Sequence, residues 1–171
     1  MSAESVQTQT HCACGKVRID YRGDPIASVI CYCDDCQAGG RLIEALPRAQ
    51  PCRTEDGGTP LVLFRRDRVD YVAGRDLLRP IKLKPGSPTK RNVASCCNTA
   101  MLVDFDGGPF WVSAFDCSFA GGAPPPEMNV QTQYRSAPAP VTTSIPSYRR
   151  YPVSMIARLL GPWIPMLLGR P

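Results

Sequence analysis

The stretch that decides the fold runs from residue 31 to residue 37: Cys31-Tyr32-Cys33-Asp34-Asp35-Cys36-Gln37. Its cysteines follow the pattern C-x-C-x-x-C. Thiols packed this closely indicate a common partner, either a disulfide network or a soft metal ion. A turn can aim sulfurs of this spacing at one tetrahedral point, with Zn–S distances of about 2.3 Å. The stretch therefore predicts a three-thiolate zinc site whose fourth position is open.

The distribution of the nine cysteines argues against a secreted disulfide scaffold. Their number is odd, and the C-x-C and C-x-x-C pairs are too close for unstrained loop-closing disulfides. Residues 1–10 are polar and lack the apolar core of a signal peptide. Clustered thiols in a reducing compartment are typical of metal ligands, so we expect a cytoplasmic protein. Since His11 is the only histidine, the metal chemistry is nearly all sulfur.

Two further cysteine groups accompany the central motif, a C-x-C pair at Cys12 and Cys14 and the adjacent Cys96 and Cys97. Together with the central motif they exceed the four ligands of one tetrahedral zinc. Two sites, one closed and one open, are the economical solution. A closed site would staple strands together, and an open one would leave a position for water or a substrate thiolate. The two remaining cysteines are isolated and are expected to be small buried hydrophobes: Cys52 and Cys117.

The composition favours a β protein. Among 171 residues there are 18 prolines and 14 glycines, which favour strands and turns over long helices. Alternating patterns predict about eight short strands in the first 115 residues. One helix is predicted from the central motif toward Leu46, although Gly39-Gly40 weakens it. Its apolar face is expected to comprise Ala38, Leu42, Ile43 and Leu46.

We divide the chain into a flexible N-terminus (1–9), a β domain (10–120), a Pro/Ala-rich loop (121–147) and an apolar helical segment (148–171). Pro162 and Pro165 interrupt the last segment, so we expect no membrane span. It is expected to pack on the domain as a helix; a membrane-surface contact or a homodimer contact is the alternative.

The net charge of +5 is scattered and indicates a solvated, mildly basic face. The aromatic residues nearest to basic ones are Tyr21, Phe64 and Tyr71. They occupy predicted core positions, so we expect no nucleic-acid partner. Other polar residues have simple interpretations. His11 is expected in a solvated turn, and Asp34 and Asp35 as helix caps. Arg91 is expected to be an exposed strand arginine, with orientation of a substrate carboxylate as the alternative.

The order of these motifs resembles the glutathione-dependent formaldehyde-activating enzyme family, which also includes centromere protein V and uncharacterised bacterial relatives. The resemblance rests on C-x-C-G at residues 12–15, C-x-C-x-x-C-Q at 31–37, and an arginine followed by a cysteine knuckle. It covers roughly residues 10 to 105. The region from Gly57 to Thr99 is similar to an uncharacterised bacterial branch rather than to the formaldehyde enzyme itself.

The resemblance implies a tent-like fold of stacked antiparallel sheets stapled by zinc. It implies that Cys12, Cys14 and the last knuckle hold a structural zinc, and that Cys31, Cys33 and Cys36 hold a catalytic one. In the family, the second zinc is thought to help join the thiol of glutathione to formaldehyde, giving S-hydroxymethylglutathione. Glutathione is therefore the small-thiol partner that the resemblance suggests.

The chain departs from the family pattern at the last knuckle. The family has C-x-x-C-G, whereas the corresponding positions here are Ala94, Cys97 and Asn98, and Cys96 is new. Neighbouring residues of a strand point to opposite faces, but in a turn both cysteines could reach one ion. We assign Cys12, Cys14, Cys96 and Cys97 to the structural site; if Cys96 cannot reach, that site has three protein ligands.

Our functional hypothesis is a zinc enzyme of the carbon–sulfur lyase type, acting on the adduct of a thiol such as glutathione with an aldehyde. Cys31, Cys33 and Cys36 would hold the working zinc. The alternative is a non-catalytic, zinc-stapled module that binds a protein or an anionic partner. A redox switch through Cys33 and Cys36 is a third hypothesis, for the metal-free protein.

Overall fold

The computed structural model describes residues 7–135, 144–161, 163 and 164. Over these ranges the protein is mainly β, as the sequence predicts, with two helices. The strands and helices are β1 Gln7–His11, β2 Arg18–Arg22, β3 Ala27–Cys31, α1 Asp34–Glu44, β4 Thr59–Arg65, β5 Val69–Ala73, β6 Leu78–Ile81, β7 Thr89–Ala94, β8 Thr99–Phe105, β9 Trp111–Phe115, β10 Met128–Val130 and α2 Val153–Leu160.

The strands form two sheets. The smaller has the order β1-β2-β5, and the larger has the order β10-β3-β4-β9-β8-β7-β6. All the strand pairs are antiparallel except β10 with β3, which is parallel. Among the described strands the larger sheet is therefore mixed, and its parallel pair lies at the edge formed by β10.

The larger sheet has an apolar core on each face, because most of its central strands are buried on both sides. On one face, Tyr21 of the smaller sheet stacks on Phe64 of β4, with ring centroids 4.3 Å apart. On the other face, Leu61 and Leu63 of the same strand belong to the cluster that also buries Ile43 of α1 and Met155 of α2. Side chains alternate along β4, and so this strand serves both cores.

Helix α1 begins at the central cysteine motif. Its N-cap is Cys33, whose Sγ accepts the backbone N–H of Cys36 at 3.4 Å. The expectation that Asp34 and Asp35 cap the helix is wrong, because the N-cap is the residue before them, Cys33. Both lie in the first turn, where their carboxylates still favour the positive end of the helix dipole.

The predicted apolar face of α1 is also partly wrong. Leu42 is 49% exposed, whereas Gly39 and Gly40 are buried together with Gln37 and Ile43. The two glycines lie on the packed face because side chains from other segments pass over them, Arg91 over Gly39 and Arg53 over Gly40. A pattern that scores apolar residues cannot register a face packed through glycine.

Two segments expected to be irregular contain strands, and the C-terminal segment expected to be helical contains a helix. Residues 7–9 belong to β1, which pairs with β2; residues 1–6 of the predicted flexible N-terminus lie outside the described residues. The predicted loop 121–147 contains β10, with 136–143 outside the described residues. The predicted C-terminal helical segment contains α2, with 162 and 165–171 outside them. The homodimer contact assigned to it stays a prediction.

A membrane-spanning helix needs about 20 consecutive, predominantly apolar residues. Neither α1 nor α2 is long and apolar enough to cross a membrane.

Candidate metal centres and pocket

Four cysteines from two distant turns form the first cluster. Cys12 and Cys14 follow β1, and Cys96 and Cys97 lie between β7 and β8. All four Sγ atoms lie within 4.8 Å of one another. The Sγ of Cys96 is 3.7 Å from that of Cys12 and 3.3 Å from that of Cys14. Ligand sulfurs of a tetrahedral zinc lie about 3.8 Å apart, given Zn–S bonds of about 2.3 Å, so the set fits one ion.

Local backbone geometry explains why adjacent Cys96 and Cys97 approach the same point. They lie in a turn rather than a strand, and Asn98 ends that turn with a positive φ of 58°. In the facing turn Gly15 has a φ of 75°, and its N–H donates to the carbonyl of Cys12 at 2.8 Å. Each turn thus folds back on itself and points its sulfurs inward, so Cys96 reaches the cluster.

The turn around Cys97 favours a thiolate. Partial burial acts to raise the pKa of Cys97. The hydroxyl and backbone N–H of Thr99 and the backbone N–H of Cys14 outweigh that effect and bring the pKa to about 6. The Thr99 oxygen lies 3.2 Å from the sulfur and also accepts the N–H of Ala13 at 3.0 Å. Donors aimed at a sulfur prepare it for a cation.

The second cluster consists of Cys31 at the end of β3, Cys33 at the N-cap of α1 and Cys36 in its first turn. Their Sγ atoms also lie within 4.8 Å of one another. No fourth His, Cys, Asp or Glu joins this group among the described residues. The central motif therefore forms a three-sulfur cluster, to which the strand end and the helix start contribute fixed positions.

The three sulfurs divide their charge unequally. Hydrogen bonds from the thiols of Cys31 and Cys36, together with the N–H of Cys36 and the charge of Arg91, lower the pKa of Cys33 to about 3. The Cys33 sulfur accordingly raises the pKa of Cys31 to about 12, and the pKa of Cys36 is raised by both neighbouring sulfurs. Cys33 is therefore the sulfur of this cluster that most favours the thiolate form.

Arg91 lies beside this second cluster and is 3% exposed, so the expectation of an exposed strand arginine is wrong. Its Nη2 donates to the backbone carbonyl of Asp35 at 2.7 Å. Its Nη1 is buried without a hydrogen-bond partner among the described residues. The side chain fits because Gly39 has no Cβ; an added Cβ would lie 1.9 Å from Nε of Arg91. Strand periodicity could not show this approach between distant segments.

The three-sulfur cluster opens into a pocket of about 470 Å³. One wall is the face of the larger sheet that carries Leu63 and Val103, and α2 covers it with Met155, Ile156 and Leu159. The hydroxyl of Tyr151, just before α2, lies 3.9 Å from Sγ of Cys31. The volume is within the ordinary range of small-molecule sites.

Other candidate residues stay apart from both clusters. The Nδ1 of His11 is 3.0 Å from the carbonyl of Cys12, and His11 joins neither group of close ligand atoms. Cys52 is buried in the core, as expected, and Cys117 packs against it partly buried. The sequence did not indicate Tyr151 as a pocket residue. Tyr151 lines the pocket because of where α2 packs, and no local sequence pattern indicated that position.

Comparison with known proteins supports the resemblance over one part of the chain. Residues 7–45 match the family described as "Glutathione-dependent formaldehyde-activating enzyme". A search of curated proteins finds no match. Among solved structures, one match is a crystal structure of a Rhodobacter sphaeroides protein from a structural genomics programme. It is 14% identical with a TM-score of 0.48, and the match covers 82% of this chain and 99% of that one.

The matched range contains β1 to α1 and five of the cysteines of the two clusters: Cys12, Cys14, Cys31, Cys33 and Cys36. The remaining two cluster cysteines, Cys96 and Cys97, lie in the knuckle that departs from the family pattern, outside the matched range. The chain is therefore similar over residues 7–45 to the glutathione-dependent formaldehyde-activating enzyme family, the family that the motifs resemble.

Proposed function

We propose that the protein is a zinc-dependent enzyme of the carbon–sulfur lyase type, which makes or cleaves the adduct of a thiol with an aldehyde. One observation carries the proposal: the three-sulfur cluster lies at a pocket and lacks a fourth protein ligand among the described residues. A metal held by three protein ligands keeps a position for substrate. The family match adds glutathione as the first thiol to test.

The donor sets fit zinc. Thiolates bind zinc well, and the close approach of the sulfurs in both clusters matches one ion in each. Zinc bound by Cys31, Cys33 and Cys36 would supply Lewis-acid stabilisation of a substrate thiolate. Zinc bound by Cys12, Cys14, Cys96 and Cys97 would join the two sheets. Nine free cysteines suit the reducing cytoplasm, which is where we place the protein.

The chain's own groups have three tasks in this reaction. The pocket walls exclude water and hold the carbonyl carbon near the thiol. In the forward direction a carbon–sulfur bond forms, the C=O electron pair moves to oxygen, and that oxygen takes the proton that the thiol released. The Tyr151 hydroxyl lies where it can donate a hydrogen bond to this oxygen. The reverse direction breaks the same bond and consumes no further reactant.

The test is zinc content and turnover in freshly purified protein and in Cys33→Ser. We expect about two zinc ions per chain in the unmodified protein and about one in the variant. Formation of the adduct from glutathione and formaldehyde, followed by NMR, should fall at least 100-fold in the variant. Cys117→Ser is the matched control, because Cys117 lies outside both clusters; it should keep both ions and full activity.

Two results would contradict the proposal. One is a zinc content that Cys33→Ser leaves unchanged. The other is the absence of adduct formation with every thiol and aldehyde tested, including apolar ones. One zinc per chain together with no turnover would instead support the alternative, a zinc-stapled binding module whose only metal joins the sheets.

A further inference from the structure

The pocket beside the three-sulfur cluster differs from what glutathione would need. We propose that the thiol this site takes is an apolar mercapto acid: a thiol with a carboxylate one or two carbons from its sulfur and an otherwise hydrocarbon body. This inference rests on the proposed function, which it deepens by naming the class of thiol. The sulfur would face the cysteine cluster, the carboxylate would pair with Arg91, and the hydrocarbon would fill the pocket.

The floor of the pocket is one continuous face of the larger sheet. Cross-strand partners share a face, and the register runs from Leu63 to Ser113, from Ser113 to Val103 and from Val103 to Arg91. All four line the pocket. Arg91 is therefore the charged member of this row, and it lies on the same side of the sheet as the cavity.

The position of Arg91 sets where an anion can bind. Its guanidinium reaches the carbonyl of Asp35, which lies between Cys33 and Cys36 in the first turn of α1. The cation is thus near the sulfur end of the pocket. A ligand that uses both the cluster and the cation must carry its anion close to its sulfur.

A buried guanidinium needs an anionic partner. Among the described residues, no carboxylate lies within salt-bridge distance of Arg91. The contact with Asp35 is to its backbone, and the Asp35 side chain is exposed. The charge of Arg91 also acts on the nearby Cys33 sulfur, and a ligand carboxylate beside the guanidinium would add the oxygen partner that Nη1 of Arg91 lacks among the described residues. Arginine suits a carboxylate because its donors form a planar fork.

The roof of the pocket is apolar. Helix α2 contributes Met155, Ile156, Leu159 and Leu160, and β8 and β9 add Phe105 and Trp111 at the side. Met155 is 3% exposed and ties the helix to the core, and the Arg158–Glu127 ion pair holds its outer side. Walls of this kind stabilise a hydrocarbon body by removing its apolar surface from water.

Glutathione does not match this lining. It carries two carboxylates, an ammonium group and two amides, which need several polar partners when they are buried. Beyond the sulfurs, the described polar lining is short: Asp35, Thr89, Arg91, Ser113 and Tyr151. One buried cation suits one carboxylate, and the remaining surface suits hydrocarbon.

The experiment measures binding by titration calorimetry to the full-length protein as purified, with its zinc content recorded. The probes are 2-mercaptohexanoate, hexanoate without the thiol, hexane-1-thiol without the carboxylate, mercaptoacetate without the hydrocarbon chain, and glutathione. We expect 2-mercaptohexanoate to bind at least tenfold more tightly than each of the others. Equal or tighter binding of mercaptoacetate or glutathione would overturn the proposal.

Two variants of α2 provide a matched pair. Ile156→Glu places a negative charge in the pocket lining at a residue that is 43% exposed, so folding should survive. It should weaken 2-mercaptohexanoate at least tenfold. Val153→Glu is the control, because Val153 is 81% exposed and is absent from the described lining; affinity should change less than twofold. Equal effects of the two variants would overturn the proposal.

Arg91→Gln tests the carboxylate contact separately. It should erase the preference for 2-mercaptohexanoate over hexane-1-thiol and leave the affinity for hexane-1-thiol within threefold. Should Arg91→Gln fail to fold, the α2 pair decides. Adduct formation from glutathione and formaldehyde that neither 2-mercaptohexanoate nor Ile156→Glu reduces would refute the pocket assignment and leave the proposed function standing. Selective binding of 2-mercaptohexanoate without adduct formation from any aldehyde would refute the proposed function alone.

Discussion

Replacement of Gly39 by alanine should destabilise the protein, although alanine is the better helix former. Gly39 lies inside α1, where the change alone would stabilise the fold by about 1 kcal/mol. The new Cβ would meet Arg91, at 1.9 Å from Nε and 2.4 Å from Cδ. Arg91 must then move, which endangers its hydrogen bond to the carbonyl of Asp35. A hydrogen bond of a charged group contributes about 1.5–3 kcal/mol, so we expect a net loss of about 0.5–2 kcal/mol.

The sign of this effect should reverse once the obstructing side chain is removed. In an Arg91→Ala background, Gly39→Ala has room for its Cβ, and only the gain of about 1 kcal/mol in helix propensity remains. The assay is urea unfolding of the four proteins of this double-mutant cycle, each with its metal content matched. Gly86→Ala is the control, since its Cβ would meet nothing within 4 Å; it should change stability by less than about 0.5 kcal/mol.

The coupling energy between the two sites should therefore be about 1.5–3 kcal/mol. If Gly39→Ala stabilised the protein that retains Arg91, the guanidinium would have moved without a cost in free energy. Equal effects in both backgrounds would show that Arg91 does not pass over α1 at all. Either result would refute the packing argument on which the buried cation depends.

Two further outcomes follow from the described contacts. Cys96→Ser should lower the zinc content by one ion and destabilise the protein by about 4 kcal/mol or more, as loss of a structural metal does, while Cys117→Ser keeps both ions; metal analysis and thermal unfolding check this. Hydrogen bonds from Arg158 lower the pKa of Glu127, so this pair stabilises the fold above the unfolded-state pKa of about 4.3 and loses its effect as the pH falls through the folded-state pKa. Because both partners are about 40% exposed, Arg158→Met should cost at most about 1 kcal/mol at pH 7 and almost nothing at about pH 3, as measured by urea unfolding at both pH values.

The sequence predicted the parts of this protein whose signals are local. The spacing of Cys31, Cys33 and Cys36 indicated the three-sulfur group, because ligand geometry restricts which spacings can meet at one ion. The family resemblance indicated that Cys12, Cys14 and the last knuckle meet. Alternation of Val17, Ile19 and Tyr21 predicted β2, and the short apolar runs at 26–31 and 61–64 predicted β3 and β4. By contrast, β1 is Gln-Thr-Gln-Thr-His, which has no apolar alternation, and it is a strand because β2 offers it a partner.

What could not be predicted depends on contacts between distant segments. The burial of Arg91 requires Gly39, which precedes it by 52 residues, and neither residue alone signals the approach. By helix propensity the same glycine weakens the predicted helix, although the absence of a Cβ is what lets that helix pack. Tyr151 reaches Cys31 across 120 residues, and no periodic pattern extends that far.

The four-sulfur cluster has a consequence for how the chain reaches its native state. Its two halves are separated by 84 residues, so the sulfurs meet only after a large loop has closed. Contacts of such long sequence separation slow folding, and they form late unless a bound metal ion stabilises them. Metal binding should therefore follow assembly of both sheets. Without metal, the two cysteine turns should come together and separate again repeatedly. Refolding rates measured with and without zinc would show whether binding of the ion is what keeps the two cysteine turns together.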